Sequence, residues 1–171
     1  SGVEWVRENV KRGVKRIAAV ASTNSDIERV MVKGESGFLS VCWRGDRTYA
    51  GKKMGFPEWS PTKRTLTWEN GAKAVFFSAE DPERLRGPQA HSAWTDELCA
   101  WRNAQETWDM MMFGLRLGRK PQVFVTTTPK TTKLLRGIIA DDKTLISTGS
   151  TFDNAANLAG TFLDAVKKTY E

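Results

Sequence analysis

At 171 residues and 19.2 kDa the chain can bury one real core but not two generous ones. Hydrophobic residues make up 40% and charged residues 27%, which excludes intrinsic disorder and collagen-like character. The 26 Lys and Arg against 20 Asp and Glu give a net charge of +6, compatible with a polyanionic partner such as nucleic acid without demonstrating one. The two cysteines, Cys42 and Cys99, lack C-x-x-C spacing and have only His91 to join them, which argues against a structural zinc site and for a reducing compartment. His91 pairs with no nucleophile in the sequence and reads as structural. No apolar run approaches the roughly 20 residues of a membrane span, so a soluble, cytoplasmic protein is expected.

Val3, Val6 and Val10 recur at helical spacing between Glu4, Arg7, Glu8 and Lys11, which predicts an amphipathic helix over residues 1–11 that Gly13 stops. The apolar run of residues 16–21 predicts a buried strand of a mostly parallel sheet. Ser25 with Glu28 has the form of a capping box, followed by a helix with Ile27, Val30 and Met31 as its apolar face. Over residues 34–63 the periodicity fails. Arg44, Arg47, Lys52, Lys53 and Lys63 alternate there with Trp43, Tyr49, Phe56 and Trp59, a pattern that fits either a nucleic-acid path or a long loop whose aromatics dock on the body. The stretch from Gly45 to Lys53 imitates a phosphate-binding loop but has the wrong glycine spacing and no hydroxyl after the lysine.

Residues 64–69 and 72–77, joined by Asn70-Gly71, predict a hairpin with a primed turn carrying positive φ at both central residues. A polar loop bearing Arg84 and Arg86 leads to a short strand that ends in the adjacent carboxylates Asp96 and Glu97. Residues 103–117 predict a helix with Trp108, Met111, Met112 and Leu115 on one side. Residues 122–126 predict a further parallel strand ending in Thr126, Thr127 and Thr128, at the strand end where open α/β sheets gather ligand-binding groups. A short helix over 132–139, a short strand over 144–147 and a final helix over 155–170 complete the chain. The alternation predicts an α/β sandwich around a mainly parallel sheet.

An acidic pair and a hydroxyl cluster at successive strand ends, with an arginine loop before them, would share one crevice if the strands are parallel neighbours. A crevice of that kind could hold a nucleotide, because phosphoryl transfer to water needs a metal-holding carboxylate, a group that aligns water and a cation for the developing charge. The words FSAEDPERLRGPQ (77–89), AWTDELCAWR (93–102), ETWDMMMFGLRLG (106–118) and VTTTPK (125–130) resemble, in order and spacing, the large terminase subunit of tailed bacteriophages and gene-transfer-agent terminases. Weaker likeness extends to GVEWVR (2–7) and RTLTWENGA (64–72).

That resemblance implies a P-loop NTPase-type ATPase domain of the additional-strand catalytic-glutamate class, a mostly parallel sheet with flanking helices and an antiparallel hairpin. It implies ATP and Mg2+ as cofactors, with Asp96 as the metal ligand and Glu97 as the glutamate that orients water. Thr126, Thr127 and Thr128 would be the coupling motif that senses the nucleotide. Arg86, with Arg84 as the alternative, would be presented to a neighbouring subunit. It also implies a homo-oligomeric ring that drives double-stranded DNA into a procapsid with a portal and a small terminase subunit.

The Walker A motif of such proteins is missing, as is the nuclease domain. Residues 1–171 therefore read as one partial ATPase domain, with the P-loop expected upstream of Ser1 and the nuclease downstream. Alternative readings are a helicase-like translocase and a non-catalytic module that binds nucleic acid or a partner. For Arg84 and Arg86 the competing reading is a surface ion pair with Glu80, Asp81 or Glu83; for the acidic pair, a helix N-terminus.

Overall fold

The computed structural model describes residues 1–149. They divide into a unit spanning Ser1–Leu135, which holds the whole sheet, and a second unit that begins at Arg136. The helix expected at 155–170 lies outside the described residues.

Helix α1, Gly2–Lys11, turns Val3, Val6 and Val10 inward, each no more than 2% exposed. It ends in a Schellman motif: the Gly13 amide donates to the Val10 carbonyl and the Val14 amide to that of Asn9, with Gly13 at φ +100, a conformation glycine adopts without penalty. Strand β1, Arg16–Ala21, follows with the bounds the apolar run indicates. It lies centrally because nearly all of it is apolar and buried, as a parallel strand covered on both faces must be.

The next helix departs from expectation. Its N-cap is Thr23, not Ser25, and the reciprocal box is formed by Thr23 and Asp26. The short α2, Asn24–Asp26, runs directly into a π-helical turn, Ile27–Val32. The wider π period buries Ile27, Met31 and Val32 and leaves Val30 51% exposed, so the apolar face differs from the one α-helical spacing gives.

The aperiodic stretch contains α3, Phe38–Val41, and β2, Glu58–Ser60. It is anchored by Phe38, fully buried among Trp68, Phe76 and Trp94 in edge-on ring contacts. Strands β3, Thr65–Thr67, and β4, Lys73–Ser78, form the expected antiparallel hairpin. Its turn is different: only Gly71 has positive φ. The Gly71 amide closes on the Trp68 carbonyl and the Trp68 amide on that of Ala72, a three-residue loop with the glycine in the left-handed position.

A 3-10 turn, Pro82–Leu85, leads to β5, Ser92–Asp96, and a second one, Leu98–Ala100, leads to α4, Ala104–Gly114. Strand β6, Gln122–Thr126, and helix α5, Lys133–Ala140, follow. Residues 144–147 form no strand; they have no ladder partner among the described residues, and β propensity alone does not make a strand.

The six strands are ordered β2-β3-β4-β1-β5-β6. Pairing is parallel for β4-β1, β1-β5 and β5-β6 and antiparallel for the remainder. Strand alternation sends Ile17, Ala19, Phe76 and Trp94 into the core beneath α1. Ala18, Phe77 and Ala93 point to the other face, where Leu85 and Met111 are also buried. Met111 is core filling, whereas Met112 is 45% and Phe113 81% exposed. Among the described residues no helix is long and apolar enough to cross a membrane.

Candidate functional site

The sheet brings Asp96 and Thr126 together as directly paired residues at the C-terminal ends of β5 and β6. The Thr126 hydroxyl donates to Asp96 Oδ1 at 2.7 Å and lies 3.1 Å from the Thr95 carbonyl. It accepts the indole N–H of Trp94 at 2.9 Å. Because the indole can only donate, it occupies a lone pair of the hydroxyl and leaves the threonine proton for an acceptor. Trp94 is 4% exposed and was not among the residues the sequence singled out. A tryptophan two positions before an acidic strand end is the signal that was available, since i and i+2 share a sheet face.

Helix α1 begins against that indole. A Cβ on Gly2 would sit 1.8 Å from Trp94 Cε2, so only glycine lets the helix start so close to the ring. One turn on, Trp5 stacks on Phe124 of β6 at 5.4 Å.

Asp96 is half-buried. Burial raises its carboxyl above the ordinary aspartate range, opposed by the Thr126 bond and reinforced by the charge of Glu97. The side chain of Glu97 is exposed and its backbone is left-handed, φ 50 and ψ 46, a conformation that costs a non-glycine residue about 1–2 kcal/mol. Its carboxylate accepts the Thr128 amide at 3.3 Å. Thr127 completes the set by accepting the Cys99 amide at 2.9 Å. The Trp101 indole donates back to the Asp96 carbonyl at 2.9 Å, closing the 3-10 turn beneath the pair. All three threonines are therefore bonded to the segment 94–99, through Asp96, Cys99 and Glu97 respectively.

Arg84 and Arg86 lie on or just after the Pro82–Leu85 turn, both exposed, and neither side chain bonds to this cluster among the described residues. Arg86 pairs with Glu83 at 3.0 Å, an exposed i,i+3 bridge of small energetic weight. His91 is partly buried with its Nδ1 unpartnered. Among the described residues no group of three or more His, Cys, Asp and Glu is placed to hold a metal ion.

A family model described as terminase large subunit, T4likevirus-type, N-terminal, matches residues 4–169. The chain belongs to the terminase large subunit family. That membership associates the protein with phage DNA packaging in general, and it covers the strands and loops that carry Asp96, Glu97 and the three threonines. Comparison with curated proteins returns no match.

Proposed function

We propose that this domain is the ATPase portion of a terminase large subunit, a P-loop NTPase-type domain with an additional strand and a catalytic glutamate. In the intact protein it couples ATP hydrolysis to translocation of double-stranded DNA into the procapsid. The observation that carries the reading is the pairing of Asp96 with Thr126 at neighbouring parallel strand ends, joined at 2.7 Å. A carboxylate and a hydroxyl so placed fit a nucleotide crevice at the carboxyl edge of an open sheet.

In this reading Asp96 is the ligand for Mg2+, which is commonly held by one or two carboxylates with substrate phosphates and water completing the shell. The partial burial of Asp96 disfavours its bare charge, and a cation would offset that cost. When bound, Mg2+ supplies neutralisation of charge on the phosphate oxygens. Glu97, exposed and one residue beyond, aligns the attacking water and accepts its proton. Thr128, whose amide meets Glu97 at 3.3 Å, and Thr127, whose hydroxyl meets the Cys99 amide, link the glutamate's turn to the segment after β6. Arg86, or Arg84, acts on the nucleotide of a neighbouring subunit in a ring, which suits their exposure. The Walker A segment, the nuclease domain, the portal and the small terminase subunit belong to the intact assembly.

The test is ATP turnover by the intact large subunit. Glu97→Gln should lower kcat by about 10²–10⁴-fold while KM for Mg·ATP changes little, as expected for loss of a general base. Unchanged turnover in that variant would remove Glu97 from the chemistry. The 171-residue chain by itself should hydrolyse ATP poorly, and robust turnover abolished by Glu97→Gln would show that it needs no phosphate-cradling segment beyond its own residues.

A further inference from the structure

The cations and aromatics of residues 43–53 form a built projection. Arg47 and Lys53 pair as an antiparallel bridge, and the Thr48 amide donates to the Lys52 carbonyl at 2.7 Å. The base is fixed by Asp46, which is 7% exposed. Its carboxylate takes the Arg7 guanidinium at 2.7 and 2.9 Å and the Trp43 amide at 3.3 Å, while its carbonyl accepts the Met54 amide. Met54 is fully buried. On the flank, the Tyr49 amide donates to the Lys11 carbonyl at 3.1 Å, the Tyr49 hydroxyl bonds Glu8, and the Arg12 guanidinium lies 5.9 Å from the Tyr49 ring. Trp43 lies over Gly45, where a Cβ would come within 2.3 Å of its ring, yet remains 68% exposed.

The projection is therefore held at its base through Asp46 and on one flank through Tyr49, and its cations are left over. Asp46 is consumed by Arg7, and Lys53 pairs with Glu69. Arg44, Arg47 and Lys52 are exposed and have no carboxylate partner among the described residues. Arg44 instead sits 5.7 Å from the Phe56 ring, and Arg47 donates to the Gly51 carbonyl. On a turn whose backbone is already held, the ordering cost when an anion docks is confined to the three cationic side chains. A polyanion releases counterions to solution as they bind, in proportion to its charge density, which is highest for a duplex.

We propose that residues 43–53 are a duplex-DNA contact, with Arg44, Arg47 and Lys52 neutralising backbone phosphates and Trp43 and Tyr49 packing against the sugar edge. The proposal rests on DNA being the translocated substrate in the function proposed above. It names the surface that meets it.

The test is binding of the full chain to a fluorescent random-sequence duplex across a salt series. Arg44→Ala/Arg47→Ala/Lys52→Ala should weaken binding by about tenfold or more and reduce the slope of log Kd against log salt by roughly 2–3, at about 0.9 for each phosphate no longer neutralised. The charge-matched control Arg116→Ala/Arg119→Ala/Lys120→Ala should change the slope far less. In the unaltered chain, duplex should protect Lys52 from acylation and leave Lys120 reactive, which keeps the test independent of how the triple variant folds. Equal loss in the two triples, or Lys52 reactivity indifferent to duplex, would overturn the assignment of this surface alone. Tighter binding to unpaired strands that Trp43→Ala abolishes would overturn the duplex assignment in favour of base stacking. Failure of the unaltered chain to bind duplex at all would remove the DNA surface together with the partner it presumes.

Discussion

The Thr126 hydroxyl donates to Asp96 across the β5-β6 ladder while accepting the Trp94 indole N–H, so one side-chain oxygen joins the buried indole to the carboxylate at the strand end. Replacing it by valine keeps the branched shape and removes both bonds. Thr126→Val should cost about 1–3 kcal/mol, because the buried indole donor is left unpaired, and Thr126→Ser should recover most of it. Urea denaturation of the three proteins measures the difference. The Trp94 indole proton resonance should move in the valine variant alone, and its failure to move would separate Trp94 from Thr126.

A pH dependence follows from Asp96. Its carboxyl is raised chiefly by burial, so the folded state holds that proton more tightly than the unfolded chain. Stability contributed by this group therefore declines as pH climbs from the ordinary aspartate value of about 3.9 through the raised one, and is constant above it. Asp96→Asn removes the ionisation while its amide oxygen can still accept from Thr126. In metal-free buffer the variant should gain stability over the parent near pH 7, with the gain shrinking toward about pH 4. Denaturation curves showing the same difference at both pH values would contradict the burial argument.

The Arg7–Asp46 pair has side chains only 11% and 8% exposed. Removing either partner strands the other in a low-dielectric site, at about 3–5 kcal/mol. The two truncations should be unequal. Asp46→Ala leaves Arg7 with Glu4 at 2.7 Å, near the lower figure, whereas Arg7→Met leaves Asp46 without its cation and should approach the upper one. Equal losses well under about 1 kcal/mol would mean the pair is solvated.

Glu97 stands where glycine would be unstrained. Glu97→Gly should raise stability by up to about 1 kcal/mol, the relief of left-handed strain less the entropy glycine carries into the unfolded state. The same substitution should abolish ATP turnover in the intact large subunit. A variant that is less stable than the parent would show that the Glu97–Thr128 bond outweighs the strain.

Much of the sheet is written in local pattern. The β-branched and apolar runs that became β1, β5 and β6 have few other ways to bury themselves, and Asn70-Gly71 marked the hairpin although its turn type differs. Local pattern failed where a longer-range contact decided the outcome. Thr23-x-x-Asp26 and Ser25-x-x-Glu28 are equally local boxes, and the contact that favours Thr23 as the cap is distant: Glu80, brought from β4's end, takes the Asn24 amide at 3.0 Å. Phe38 lies in a glycine-rich stretch with no periodicity, and its burial depends on Trp68, Phe76 and Trp94 arriving from three separate segments. The acidic pair and the threonines were legible as residue types, but the Thr126 to Asp96 bond depends on the β5-β6 register, which no local pattern encodes.

A regular strand sends consecutive side chains to opposite sides, so an acidic dipeptide would ordinarily be split by the sheet. The left-handed turn at Glu97 ends the alternation one residue past Asp96, and both carboxylates then address the segment at the end of β6, Asp96 through Thr126 and Glu97 through Thr128. Two adjacent anions thus act as a vernier on one neighbour. A slip of β6 by a single residue would present Val125 or Thr127 to Asp96 from the wrong side and would break both bonds together.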